Sequence, residues 1–131
     1  DLNAVLYRNE RRLAQLVGSV LGAAGLASDL NKAAQNRRAL MHRFLYNGTH
    51  WHDYHLDGGS NSRELYVSDL AAFWFGVDDS GVYPSGYEEQ LIFSAPGGAI
   101  TSRVPSGQQW DYPNVWAPVQ HRLISWYLQQ G

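Results

Sequence analysis

The fold and the function of this chain are inferred from one stretch, Ser106-Gly107-Gln108-Gln109-Trp110-Asp111-Tyr112-Pro113-Asn114-Val115-Trp116-Ala117-Pro118. Amides, a carboxylate and two indoles lie close together here, and two prolines, Pro113 and Pro118, stiffen the stretch. Proline fixes extended or turn backbone and disfavours helix before it, so these groups are predicted to lie on a rigid loop that ends where a helix starts. A flat aromatic ring beside amides and a carboxylate suits a sugar, which offers an apolar C–H face and a rim of hydroxyls. The alternative is a buried turn whose Asp and Asn only cap the next helix.

Composition places the chain among globular domains. Its 131 residues are 44% hydrophobic and 17% charged, with a formal net charge of −2 and no cysteine. This length suffices for one domain with a buried core, and the charge gives no reason to expect binding to nucleic acid. Without cysteine, there is no disulfide framework and no thiol chemistry.

Two long helices are predicted in the first part of the chain. Apolar residues recur at helical spacing from Leu2 to Leu21, and a glycine-containing stretch at 22–25 closes that helix. Ser28 is predicted to cap a second helix, which ends at Asn47-Gly48. The cluster of basic residues on that helix is interpreted as a solvated face; it comprises Arg37, Arg38 and Arg43.

Three further helices are predicted, separated by long polar loops. A short apolar helix covers 70–75 after Ser68-Asp69, and Ser85 with Glu88 suggests a capping box for a helix over 87–93. The last helix runs from Pro118 to Gln130, with Leu123, Trp126 and Tyr127 facing inward. About five helices joined by such loops favour a segment of a helical toroid over a closed four-helix bundle.

Two smaller motifs suggest chemistry but are weak. His50, His52 and His55 have a spacing that could bring imidazoles together on a metal, although no cysteine helps, and we expect no metal site. Asn47-Gly48-Thr49 is a glycosylation sequon, useful only in a secreted protein.

The central stretch resembles the second signature of the trehalases, the inverting glycoside hydrolases that split α,α-trehalose into two glucoses. The match is Gln-Gln-Trp-Asp-x-Pro-Asn-x-Trp-Ala-Pro over residues 108–118, with Gln120 following. Val115 stands where the family commonly has Gly. Moderate matches lie at 1–7, 51–54, 64–74 and 98–102. In the last of these, Ile100 stands where the family usually has Pro. After the Trp-x-Asp-Tyr match at 51–54, His55 stands where the family often has Asp.

The resemblance implies an all-α fold, a segment of an (α/α)6 toroid with long loops between helices. Residues 1–131 would form part of a single toroid catalytic domain whose upstream and downstream parts are missing from this chain. In trehalases the general acid precedes the Asp-Leu-Asn-Ala stretch found here at 1–4, and the general base lies in a later glycine-rich segment. We therefore assign no catalytic residue to this chain.

What the resemblance carries over is substrate binding. Trp110 is predicted to be a wall of the sugar pocket and Gln109 a partner for sugar hydroxyls. Asp111 and Asn114 are predicted to hold the binding loop, with Trp116 packed beneath it. The implied partners are trehalose and other fragments of the same enzyme, without cofactor or metal.

Two alternatives stay open at the level of sequence: a sugar-binding remnant without chemistry, and a helical packing module that inherited the motif. The expected location is secreted or membrane-anchored and extracellular, with the cytoplasm as the alternative.

Overall fold

The computed structural model describes residues 1–62 and 64–131 and consists mainly of helices. Helix α1 spans Leu2–Leu21, α2 Ala24–Leu45, α3 Ala71–Trp74 and α4 Ala117–Gln130. A 3-10 helix at Val67–Leu70 leads into α3, and a π-helical turn covers Glu88–Ile92. Strands β1 (Tyr54–His55) and β2 (Ser60–Asn61) form a two-stranded antiparallel hairpin. No helix in the described part of the chain is both long enough and apolar enough to cross a membrane.

The predicted helix ends are confirmed for α1 and, within one residue, for α4. The Asp1 carboxylate accepts from the Leu2 N–H at the start of α1, and Gly22 ends the helix in the left-handed region at φ 62°. Pro118 lies in the first turn of α4, where a missing N–H costs nothing. Leu123 and Trp126 are buried as predicted, whereas Tyr127 packs its ring against Tyr83 and Trp126 but stays 37% exposed, so it faces inward only in part.

Two capping predictions were wrong. Helix α2 begins at Ala24, so Ser28 lies inside it and caps nothing. The predicted capping box pairs Ser85 with Glu88. The carboxylate that accepts a backbone hydrogen bond at this turn is instead that of Glu89, which accepts from the Gly86 N–H at 3.2 Å. Glu88 instead accepts from the Tyr127 hydroxyl at 2.6 Å, which joins the π-helical turn to α4.

Of the three arginines of α2 predicted to form a solvated face, Arg43 is exposed as predicted, but Arg37 and Arg38 are half-buried and paired. Arg37 pairs with Glu10 of α1 at 2.7 Å, and both side chains are half-buried. Arg38 donates from Nε to the Val77 carbonyl at 2.8 Å and pairs with Asp79 at 3.3 Å. These two guanidiniums tie α2 to α1 and to the loop after α3, which helical spacing alone cannot reveal.

The hydrophobic core lies mainly in the part of the chain that follows α2. Its fully buried side chains come from the short helices and the loops between them; they are Leu70, Val77, Tyr87, Leu91 and Ile100. Tyr87 also donates its hydroxyl to the Trp51 carbonyl at 3.1 Å, which fixes the loop after α2 against the π-helical turn. This packed region supports the loop at 106–116.

Helix α1 buries a different face from the one its apolar stripe predicts. The buried residues are Ala4, Tyr7 and Ala14. The larger apolar side chains of α1 and α2 are exposed by 40–67% at Leu2, Leu13, Leu16, Val20, Leu26, Leu40 and Phe44. Two of the three buried residues of α1 are alanines, which allow close packing, while most of the larger side chains of the apolar stripe are exposed.

Candidate functional site

The loop that precedes α4 is organised around the Asp111 carboxylate. One carboxylate oxygen, Oδ2, accepts from the Ser106 N–H, from the Ser106 hydroxyl at 2.8 Å and from the Gln108 N–H at 3.3 Å. The Asp111 carbonyl accepts from the Asn114 N–H at 2.8 Å, which closes the turn on its other side. The Asp111 side chain is buried beneath the loop, so its charge is used by the loop itself.

These donors stabilise the ionised form of Asp111. The hydroxyl of Ser106 is the largest cause that lowers the pKa of this carboxyl, and the backbone donors of 106–108 add to it against the opposing effect of burial. A carboxylate held in this way stays charged at neutral pH and is a poor proton donor. The arrangement suits a positioning role.

Trp110 forms a platform on the outer side of this loop. Its ring stacks on that of Trp116, with the centroids 3.2 Å apart and the planes inclined by 14°. Trp116 is half-buried, whereas Trp110 is 53% exposed. One indole face is therefore covered by a second indole, and the rest of the ring remains free to contact a ligand.

A second wall stands across a cavity of about 310 Å³ from Trp110. This wall joins residues 66–68 to Thr101 and Ser102, through a bridge between Tyr66 and Ser102 and a bond from the Val67 N–H to the Thr101 carbonyl at 3.0 Å. Hydroxyls from this wall and from Ser106 line the cavity, opposite an indole. Its volume falls within the usual range for small-molecule sites.

Gln120 of α4 holds the loop that carries this wall. Its side-chain amide accepts from the Ala99 N–H at 2.9 Å and donates to the Ala99 carbonyl at 2.8 Å, as a neighbouring strand would. Gly98 has φ 123°, and a Cβ added there would lie 2.5 Å from Oε1 of Gln120. Only glycine permits both the backbone conformation and this close approach.

Two of the three departures from the family pattern, Ile100 and Val115, face each other. Ile100 and Val115 form an isolated antiparallel bridge, and the Ile100 N–H donates to the Leu91 carbonyl at 2.9 Å. Proline at position 100 could not donate that bond. Val115 also lies over Gly97, where an added Cβ would approach its Cγ2 to 3.3 Å. A branched apolar pair thus occupies the contact between the wall and the Trp110 loop.

The predicted site residues do not all reach the cavity. Trp110 and Asp111 line it together with Gln108. Gln109 and Asn114 are exposed, and neither is among the described residues that line the cavity. Thr101, which sequence reasoning passed over, brings a hydroxyl that is buried without a hydrogen-bond partner in the described structure.

Two of the three histidines after α2 lie near each other. His50 and His52 have ring centroids 5.9 Å apart, and His50 contacts the Thr49 hydroxyl and the Ser85 carbonyl through its two ring nitrogens. Burial is the main cause that lowers the pKa of His52. Among residues 1–62 and 64–131, no three His, Cys, Asp or Glu side chains lie together in a way that could hold a metal ion.

Known proteins are similar to this chain over most of its length. The family model described as Trehalase matches residues 1–130. Human trehalase is 34% identical over 130 residues, which cover 95% of this chain and 22% of that protein. A periplasmic trehalase of Salmonella agona (strain SL483) is 33% identical over 136 residues, covering 100% of this chain and 22% of that protein.

A solved structure shows the same fold. The neutral trehalase Nth1 from Saccharomyces cerevisiae superposes with a TM-score of 0.74 at 19% identity, covering 100% of this chain and 27% of that one. The fold class is thus confirmed as all-α, a segment of an (α/α)6 toroid. The chain belongs to the trehalase family. It spans 22–27% of the length of these relatives.

Proposed function

We propose that this chain is part of an α,α-trehalase, which hydrolyses trehalose to two glucose molecules with inversion, and that it supplies loops of the substrate pocket. The observation that carries the proposal is the Trp110 platform. Its indole is backed by Trp116 and exposed at a cavity of about 310 Å³ lined by hydroxyls. The ring offers a sugar its apolar face, while the rim offers hydrogen bonds.

The proposed roles follow the geometry. Trp110 stacks against a glucose ring, and Asp111 holds the loop through Ser106 and Gln108. Asn114 closes the turn by donating its N–H to the Asp111 carbonyl. Gln109 is exposed beside Trp110 and serves as a hydroxyl partner for a sugar that extends beyond the cavity.

The chemistry needs groups from outside this chain. Inverting hydrolysis requires a general acid and a general base roughly 6.5–9.5 Å apart, with room for a water between base and sugar. The Asp111 carboxylate accepts hydrogen bonds from Ser106 and Gln108 of its own loop, so it acts neither as the general acid nor as the general base. We propose that both groups come from the remainder of a single toroid domain, present as other fragments of the same enzyme.

The exposed faces of α1 and α2 support this assembly. Leu13 and Leu16 are 48% and 55% exposed, and Val20 is 67% exposed, which leaves a continuous apolar stripe uncovered. A stripe of this kind on a helix marks a packing interface. Further helices of the toroid would cover it.

Proton NMR of trehalose during hydrolysis tests the proposed reaction. Inversion occurs at one anomeric carbon, while the departing glucose keeps its α configuration, so α- and β-glucose should first appear in equal amounts. Initial release of α-glucose alone would show retention. Absence of any glucose would favour a sugar-binding remnant if trehalose still binds, and a packing module if it does not.

We also propose that the protein is a glycoprotein, secreted or membrane-anchored, with the cytoplasm as the alternative location. Asn47 is exposed, and its Oδ1 accepts from the Thr49 N–H and hydroxyl at 3.0 Å and from the His50 N–H at 2.9 Å, bonds that do not use its Nδ2. Some relatives are periplasmic trehalases. A glycan mass at Asn47 should survive Thr49→Ser and be lost in Thr49→Ala; its absence from the natural protein would contradict the proposal.

A further inference from the structure

An arginine-lined cavity of about 380 Å³ lies between α1, α3 and α4. It shares no lining residue with the Trp110 cavity. Arg8, Arg11 and Arg12 reach it from α1, because residues three and four apart occupy the same helix face. Arg122 of α4 lies beside it, with its guanidinium 5.2 Å from the centroid of the Phe75 ring, a ring that also lines the cavity.

These four guanidiniums have no carboxylate partner among the ion pairs of the described residues. Arg8 donates to the Trp74 carbonyl over 3.4 Å and lies 5.6 Å from the centroid of the Phe75 ring. Arg11 donates to the hydroxyl of Tyr7 at 3.3 Å. Neutral groups and aromatic faces therefore satisfy part of their bonding, and no direct ion pair neutralises their positive charge among the described residues.

The two carboxylates at the edge of the cavity have other partners. Asp78 accepts from the Trp51 indole N–H at 2.8 Å and from the Ser80 N–H at 3.0 Å. Asp79 pairs with Arg38 at 3.3 Å. Neither neutralises the arginine cluster by a direct bond.

The electrostatics of Arg8 agree with this geometry. Its pKa is lowered by burial first and then by the positive charges of Arg12 and Arg122. Like charges held together in this way repel each other, and an anion bound between them relieves that repulsion. Arginine also presents paired N–H groups that match the oxygens of phosphate and carboxylate.

We propose that this cavity binds a small organic oxyanion that carries a phosphate group, and that Arg8, Arg12 and Arg122 hold this phosphate. The rest of the ligand would lie against Trp74 and Phe75, which line the cavity together with the amides of Gln129 and Gln130. An aromatic floor with amide side chains suits a polar body such as a sugar ring. The chemical class expected is therefore a sugar phosphate.

The first test is calorimetric titration of the protein as isolated with inorganic phosphate, glucose 6-phosphate and glucose. The phosphate ester should bind more tightly than inorganic phosphate, and glucose should not bind at this site. If inorganic phosphate binds equally well, the body of the ligand is not recognised, and the sugar-phosphate class is wrong. If neither anion binds, the site itself is wrong.

Matched arginine variants separate a built site from a general charge effect. Arg12→Gln and Arg122→Gln should each weaken glucose 6-phosphate binding by at least about fivefold, because each removes a charged donor. Arg43→Gln is the control, since Arg43 likewise lies over a phenyl ring, 5.1 Å from the centroid of Phe44. Equal losses in all three would show that only net charge matters. Arg12→Lys keeps the charge but loses the paired donors, so it should also weaken binding.

Discussion

Replacing Trp110 with alanine removes the platform on which the proposed sugar site depends. The ring is 53% exposed, and Trp116 supports it from beneath, so a bound sugar would cover the free face. Tyr66 on the opposite wall is the other aromatic residue among the described residues that line the cavity, and most of the rest carry small hydroxyl side chains, so the Trp110 ring provides the indole surface of the site. Trp110→Ala should therefore weaken sugar binding more than any other single truncation in this loop.

The magnitude follows from the area that the sugar would cover. About half of an indole that buries roughly 200 Å² is available, so roughly 100 Å² at ~25 cal/mol per Å² gives about 2.5 kcal/mol. Incomplete coverage of the ring reduces this to on the order of 2 kcal/mol, which is roughly a 30-fold loss of affinity. A loss of this size is comparable with that for nucleic-acid bases stacked on aromatic side chains, about 1–3 kcal/mol.

The assay is calorimetric titration of the protein with trehalose, with circular dichroism to confirm that the helices are intact. Phe93→Ala is the matched control, because Phe93 is an aromatic residue that is 71% exposed and does not line the cavity. Trp110→Phe should keep part of the affinity through a smaller ring. Unchanged trehalose affinity in Trp110→Ala, or an equal loss in Phe93→Ala, would refute the proposed platform.

Two further predictions concern stability. Burial raises the pKa of Asp69 to about 7, so the native state holds a proton that the unfolded state has released between pH ~4 and about 7. The contribution of Asp69 to the free energy of unfolding should therefore fall as pH rises through that window, by up to about 1.4 kcal/mol per pH unit. Urea titrations at several pH values should show this fall in the parent and not in Asp69→Asn. The same pH dependence of the free energy of unfolding in both proteins would contradict the prediction. Gly98→Ala should lower the free energy of unfolding by at least about 1 kcal/mol more than Gly107→Ala does, because both positions have positive φ but only at Gly98 does the added Cβ meet Gln120. Thermal unfolding of both variants measures this difference. Equal losses of stability would show that the contact with Gln120 relaxes freely.

The parts of the fold that sequence predicted are those set by local rules. The bounds of α1 and α4 follow from Asp1, Gly22 and Pro118, each of which acts on its own turn of backbone. The start of α2 was missed because a serine that can cap a helix can also lie within one, and Ala23 begins this helix without a side-chain bond. Local sequence cannot choose between these two uses of Ser28.

The parts that sequence missed depend on distant partners. The apolar stripe of α1 predicts a buried face, but small residues such as Ala4 and Ala14 make the close contacts inside this chain. Arg37 was predicted to be solvated because nothing in its own helix shows that Glu10 lies 2.7 Å away. In the candidate site, the motif led directly to Trp110, whereas the amide of Gln120, which bonds both sides of Ala99, required the fold.

The central claim is that this chain supplies the sugar platform while other polypeptide supplies the acid and base. The most direct test is to measure glucose release from trehalose by the protein as isolated and to determine the polypeptide masses in the same tube under denaturing conditions. We predict activity together with further peptides of the same enzyme beside the 14.7 kDa chain. Activity from a single 14.7 kDa species would contradict the claim, because the acid and base would then have to lie within these 131 residues.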